Sequence, residues 1–256
     1  VVFTSTIVLA FVGITDDIRP LTVLPRLLLQ AIAVAIVVAA LPRELRVLLI
    51  APWWVERALM FITALWFVNL TNFMDGIDLM TIGEAMPLTA ALGIFGLMGA
   101  LPDSATLVAF ALCGSLIGFA PFNRPVARLF LGDVGSLPIG LLMAWLLILL
   151  AGSGHLAAAL LLPLYYLADA TITLLRRLIN REPIMQAHRG HFYQRAMDGG
   201  FSVYRIVVTV FAVNLVLVVL ASLTVLNSSL IVEVTTLAAG GVLVGTLLWQ
   251  FNHSGS

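Results

Sequence analysis

Four short segments gather the carboxylates, amides and imidazoles of this chain into spacings that could do chemistry. The first is Asp16-Asp17-Ile18-Arg19. Adjacent carboxylates beside apolar sequence repel each other unless a metal, an arginine or water offsets the charge. The same residues also describe a solvated helix end with Arg19 as local partner. The second places Asn69, Asn72, Asp75 and Asp78 at every third position, with Gly76 among them. At about 100° per residue these side chains drift around a helix and do not share a face. Gly76 is therefore expected to break the helix and let the acids turn into one pocket. Such oxygens suit Mg²⁺ or the hydroxyls and ring nitrogens of a nucleotide. A polar helix end capping itself is the plainer reading.

The third segment runs from Phe119 through Asn123 to Arg128, Phe130, Gly132, Asp133 and Ser136. Asp133 stands among glycines before an apolar run, where backbone can approach a phosphate closely. Ser136 is placed to cap the following helix, whose N-terminus favours anions; an ordinary turn has the same pattern. The fourth holds Arg176, Arg177, Arg181, Glu182 and Pro183, then His188-Arg189-Gly190-His191 and Arg195. Two histidines three apart could hold a metal, but zinc needs further ligands. The flanking arginines fit phosphate better, and a basic loop with chance histidines is the alternative. Asp169 lies within an apolar run, where an acid marks either function or a packing partner.

The elements that must position these residues are membrane helices. The chain has 256 residues, 61% of them hydrophobic and 10% charged, where an ordinary soluble chain is about a quarter charged. Its apolar runs are continuous, not alternating, so they satisfy their backbone as helices. The fold class is all-α, a polytopic transmembrane helical bundle forming one domain over 1–256. Nine spans are expected, near 1–15, 24–41, 57–71, 83–101, 105–121, 134–152, 155–175, 203–226 and 229–250. Gly93, Gly96 and Gly99, and Gly114 with Gly118, are expected to allow close helix contact. Cys113 sits alone in an apolar run and offers no disulfide framework.

The net charge is zero and points to no nucleic-acid partner. All 13 basic residues are arginine, a planar fork suited to phosphate and carboxylate, though coding bias gives the same pattern. Nine spans put ten arginines on one side and only Arg43, Arg46 and Arg57 on the other. Positive-inside bias makes the first side cytoplasmic, and the acids and histidines share it. Trp53 and Trp54 on the other side read as an interfacial anchor. No signal peptide is visible, and Val1 opens directly into an apolar run, so the chain is expected to start mid-protein.

In this order the four segments resemble the polyprenyl-phosphate N-acetylhexosamine-1-phosphate transferase family (glycosyltransferase family 4). The shared motifs are DD, NxxNxxDGID, FN with LFLGDVGS, and a histidine-bearing basic loop. The resemblance runs from Asp16 to about Phe201. It implies that Asp16 and Asp17 handle the lipid phosphate. It places Asn69, Asn72, Asp75 and Asp78 in the nucleotide and metal region, with Asp75 and Asp78 among the catalytic acids. Asn123 and Phe130 would hold the uridine, the ring stacking on the base. Asp133 would ligate Mg²⁺ (or Mn²⁺), with Asn72 as its companion. His188, Arg189 and His191 would lie near the diphosphate. The His-Arg-Gly-His order looks more like the branch acting in O-antigen and surface-glycan synthesis than the peptidoglycan enzyme. Two further N-terminal spans are usual in the family, so this chain is expected to lack them.

The resemblance implies transfer of a sugar-1-phosphate from a UDP-sugar to undecaprenyl phosphate, releasing UMP, at the cytoplasmic face of the bacterial inner membrane. A homodimer is a further expectation. Asp16 or Asp17 would take the last proton of the lipid phosphate, or else an aspartyl-phosphate would form. The rival class is a secondary transporter with an acidic cation or proton site, for which Asp169 is the candidate inside the membrane. A third reading is an inactive family fragment.

Overall fold

The computed structural model describes residues 1–183 and 189–254. Among them it forms eleven helices and no strand: α1 (Val2–Ile18), α2 (Val23–Ala39), α3 (Trp53–Met74), α4 (Met80–Leu97), α5 (Asp103–Asn123), α6 (Gly132–Gly152), α7 (Leu156–Leu161), α8 (Leu164–Ile179), α9 (Phe192–Asp198), α10 (Val203–Leu226) and α11 (Leu230–Asn252). Six of these, α3, α4, α5, α6, α10 and α11, are long and apolar enough to cross a membrane, and α2 is apolar but shorter. Large side chains such as Phe3, Phe11, Leu107, Val219 and Val242 face outward, as a lipid-facing surface requires and a soluble one does not. The chain is a polytopic helical membrane protein.

Nine spans were expected and six helices meet the length. The seventh apolar run divides at Leu162–Pro163 into α7 and α8, because proline has no N–H and its ring crowds the preceding turn. The third expected span is longer than its apolar core suggested. Its amphipathic start carries Trp53 and Trp54 exposed, with the Arg57 guanidinium 5.4 Å from the Trp53 ring.

α6 packs against α1 and α3, and α4 packs against α5 and α10. The glycines divide in their use. A Cβ at Gly93 would strike Phe110 and one at Gly96 would strike Thr106, so both let α4 and α5 close. At Gly114 and Gly118 a Cβ meets nothing, so the expected close contact there is absent. Gly99 also meets nothing, but its φ of +88° needs glycine for the turn.

At the end opposite the acids, buried Glu56 holds the loop before α3. It accepts from Arg46 and from the Val47 and Leu48 backbone. Arg57 also ties that loop by donating to the Pro42 and Leu45 carbonyls. Glu84 is buried within α4 and accepts from Asn214 of α10 at 2.6 Å. Asp169 is therefore not alone as an acid inside the bundle.

Candidate active site

The crossing of α1 and α6 begins the site. Gly13 lies so close to α6 that a Cβ there would strike the Asp133 carbonyl and the Val134 nitrogen. That approach brings Asp17 over the start of α6. The Asp133 and Val134 N–H groups each donate to its carboxylate at 3.1 Å. These are two of the four orphan donors every helix start exposes, and a carboxylate there also meets the positive end of the helix dipole. Gly132 completes the corner with φ +62°, and a Cβ on it would come within 2.7 Å of Asp17. The sequence predicts Ser136 as this cap. Ser136 is instead buried one turn in and accepts from Asn72 at 3.0 Å, because a carboxylate from another helix already holds the position.

Asp16 accepts from the Leu21 N–H at 2.6 Å and from Arg26 Nη1 at 2.9 Å. Its partner is thus Arg26 of α2, not Arg19. Arg26 also reaches Asp133 Oδ2 at 3.4 Å, and Asn72 Nδ2 donates to Asp133 Oδ1 at 2.6 Å. Asp16, Arg26, Asn72 and Asp133 form one network contributed by α1, α2, α3 and α6. Asn69, one turn earlier on α3, instead donates its amide to the Leu65 carbonyl.

α3 ends at Met74, two residues before Gly76, so the predicted break is where the acids need it. Asp75 takes the C-cap and accepts from Thr81 Oγ1 at 2.5 Å. Burial pushes its carboxyl up to about 7, helped by the charges of Asp133, Asp17 and Asp78. An acid with a folded pKa above its unfolded value binds the extra proton in the folded state. That stability is present at low pH and is lost as pH rises toward about 7. Without divalent cations, thermal stability is therefore expected to fall between about pH 4 and about pH 7, and the fall is expected to flatten in Asp75→Asn. Equal slopes in the two proteins would remove Asp75 as the cause.

Asp78 and Asn123 act on loops. Asp78 Oδ2 accepts from the Ala127 N–H at 3.0 Å. Asn123 is buried; it accepts from the Leu79 N–H at 2.7 Å and donates to the Leu129 carbonyl at 3.0 Å. These bonds stitch the loop after α3 to the loop after α5 and hold Leu79 at φ +64°, a conformation costly for leucine. Phe130 stands on the second loop with 72% of its surface exposed. A ring so presented is available to stack on a planar ligand.

The histidine loop is anchored by Asp169. This fully buried carboxylate of α8 accepts from the Phe192 N–H at 3.0 Å and the Tyr193 N–H at 3.3 Å, and lies 3.2 Å from His191 Nδ1. Tyr165 and Thr173 donate to it as well. Asp169 thus caps α9 and fixes the orientation of the buried His191 ring. Tyr193 then donates to the Phe73 carbonyl at 3.2 Å and abuts Gly76 so closely that a Cβ there would strike its hydroxyl. Asp169→Ala is expected to cost about 1–3 kcal/mol for each buried N–H left without a partner, read as a lowered melting temperature with α9 becoming protease-sensitive. Unchanged melting would remove the anchor. Arg189 is exposed and 3.8 Å from Asp198. His188 lies outside the described residues.

Among the described residues, no three His, Cys, Asp or Glu side chains are grouped to hold a metal. The expected pair, Asn72 and Asp133, does meet, with the Asn72 amide nitrogen on one Asp133 oxygen, Arg26 near the other, and the charges of Asp16, Asp17 and Asp78 felt around them. That donor set fits a hard cation of the Mg²⁺ kind, which takes one or two carboxylates and leaves its other positions to water and substrate phosphates.

A profile of glycosyl transferase family 4 matches residues 1–151. The chain belongs to glycosyl transferase family 4. Among its relatives is a probable undecaprenyl-phosphate N-acetylglucosaminyl 1-phosphate transferase of Bacillus subtilis, 28% identical over 76% of this chain and 57% of that protein. Two phospho-N-acetylmuramoyl-pentapeptide-transferases are also similar. The one from Lactiplantibacillus plantarum is 26% identical over 73% of this chain and 58% of its own length. The one from Levilactobacillus brevis is 31% identical over 69% and 54%. This family 4 chain thus spans somewhat more than half the length of these curated relatives.

Three residues at or beside the site carry no motif signal in the sequence. Arg26 is counted by the positive-inside rule but not singled out as a partner of Asp16 and Asp133. Thr81 falls between two expected spans, and Tyr193 lies in the expected basic loop without being singled out. Only Asp169 advertised itself, as an acid inside an apolar run.

Proposed function

We propose that this chain transfers a sugar-1-phosphate, that of an N-acetylated hexosamine, from a UDP-sugar to undecaprenyl phosphate and releases UMP. The observation that carries this reading is the network of Asp16, Arg26, Asn72 and Asp133, drawn from four helices, beside the exposed Phe130. Membership of family 4 and the activities named for its relatives support it. The product would begin a lipid-linked surface glycan. The ten-arginine side of the chain would face the cytoplasm of a bacterial inner membrane, where a nucleotide sugar is dissolved.

In the transfer, a non-bridging oxygen of the lipid phosphate attacks the sugar-bearing phosphorus of the UDP-sugar. The bond from that phosphorus to the bridging oxygen breaks, and UMP leaves with that oxygen. Mg²⁺, held by Asp133 with Asn72, would neutralise the diphosphate and the charge developing on UMP. Arg26 lies where a guanidinium can exchange Asp16 for an incoming phosphate. Asp17 accepts from two backbone N–H groups and Asp16 from the Leu21 N–H and Arg26; one of the two would take the lipid phosphate's last proton. Phe130 would stack on the uracil, while Asn123 and Asp78 hold the loop beneath it. His188, Arg189 and His191 belong to the loop that would lie near the diphosphate, with Asp169 holding the buried His191 ring.

The test is purified protein with undecaprenyl phosphate, Mg²⁺ and a panel of UDP-N-acetyl sugars, read as UMP and lipid-linked product. UMP that appears only when lipid is present supports direct transfer. UMP released without acceptor, with a phosphorylated enzyme trapped, supports the two-step route. No UMP from any donor overturns the proposal.

A further inference from the structure

A polar cavity of about 350 Å³ opens between α8, α9 and the end of α11, lined by Arg176, Arg177, Arg195, Asn180, Glu182 and Asn252 among others. α9 separates it from the acid network. Tyr193 faces the acid loop, donating to Phe73 and pressing on Gly76. Phe192 and Arg195 turn the other way: the Arg176 guanidinium lies 4.7 Å and that of Arg195 6.0 Å from the Phe192 ring.

The cavity keeps a net positive charge. Glu182 pairs with Arg177 at 2.9 Å, leaving two arginine charges uncompensated within the lining. Arg177 Nε is buried without a partner among the described residues. Arg176 takes part in no ion pair among them, only the contact with Phe192. Arg195 is already aimed, donating to the Gly190 carbonyl at 3.1 Å and to Asn252 at 3.0 Å. A fork of guanidinium groups fixed by aromatic and amide contacts is what a phosphate needs.

The surroundings set its depth. Leu178 and Ile179, beside Arg176 and Arg177, are exposed, as is Trp249 one turn before Asn252. Exposed tryptophan beside a basic helix end marks the level of lipid headgroups, and basic pockets between membrane helices at that level take anionic headgroups. We propose that this cavity is a second phosphate-binding site, separate from the acid network, for a phosphate anion at headgroup depth: the phosphodiester of an anionic membrane lipid or a free phosphate.

The experiment is thermal unfolding of the full chain in detergent micelles doped with phosphatidylglycerol, phosphatidylcholine or inorganic phosphate. Phosphatidylglycerol is expected to raise the melting temperature of the wild type. The rise should vanish in R176Q/R195Q and persist in Asp133→Asn. Phosphatidylcholine should have no effect. A rise with inorganic phosphate that is also lost in R176Q/R195Q assigns the site to free phosphate, and its absence assigns it to lipid. If the double variant does not fold, Arg176→Gln alone serves, and retention of phosphatidylglycerol by native mass spectrometry replaces melting. Equal stabilisation or retention by wild type and variant overturns the proposal, as does loss of the effect in Asp133→Asn, which would move the phosphate to the acid network. No outcome depends on transferase activity.

Discussion

Asp133→Ala is expected to lower UMP release by about 10²–10³-fold, the effect of removing one group aimed at charge that develops in a transition state. Among the described residues, Asp133 is the one side chain that bonds to both Arg26 and Asn72, so its loss opens the network at its centre. The fold is expected to survive. Arg26 keeps Asp16 at 2.9 Å, and Asn72 keeps Ser136 at 3.0 Å. The backbone N–H of residue 133 still donates to Asp17, because that bond does not use the side chain. Removal also takes away a negative charge that raises the Asp75 carboxyl. Melting temperature without divalent cations is therefore expected to hold or rise while activity falls, the usual trade between stability and a crowded functional site. The readout is UMP release from the best donor, with size-exclusion behaviour as the control for folding. Retained activity with intact folding would sink the assignment of Asp133, and a fall in both would recast it as a structural residue.

The four motif segments were legible because each is local. Continuous apolar runs announced the helices, and the three-residue spacing around Gly76 announced that α3 must end there. What could not be read was contact between segments. Arg26 and Asp133 lie 107 residues apart, and no local pattern pairs them. The capping of α6 failed for the same reason: Ser136 obeys the sequence rule for a cap, but Asp17 from another helix satisfies the donors first. Helix-spaced glycines misled in the opposite direction. Gly114 and Gly118 have the spacing of a contact face but face open space, whereas Gly13, part of no motif, makes the tightest backbone approach to the site. The division at Pro163 was not read from the sequence, because a proline in an apolar run does not by itself mark a break: Pro87, Pro121 and Pro138 stay inside α4, α5 and α6. Glu84 and Asn214 carry no spacing at all, since their bond crosses from α4 to α10.

Gly13 gives the second large expected effect, and it separates positioning from chemistry. A Cβ at this position would meet the Asp133 carbonyl carbon and oxygen and the Val134 nitrogen, all backbone atoms of α6 that cannot rotate aside. Gly13→Ala must therefore push α1 from α6, and overpacking of this kind costs about 1–3 kcal/mol. The displacement falls where the site can least absorb it. Asp17 reaches α6 through two bonds of 3.1 Å, and Asp16 reaches Arg26 at 2.9 Å. Small displacements of positioned groups lower rates by about 10²-fold. Gly13→Ala is expected to lose UMP release on that scale together with melting temperature, although no reacting group has been altered. Asp133→Ala should lose only the first. Gly114→Ala, where a Cβ meets nothing, should lose neither and controls for adding a methyl group to a membrane helix. If Gly13→Ala keeps both activity and stability, the α1–α6 crossing does not set the geometry of the acids.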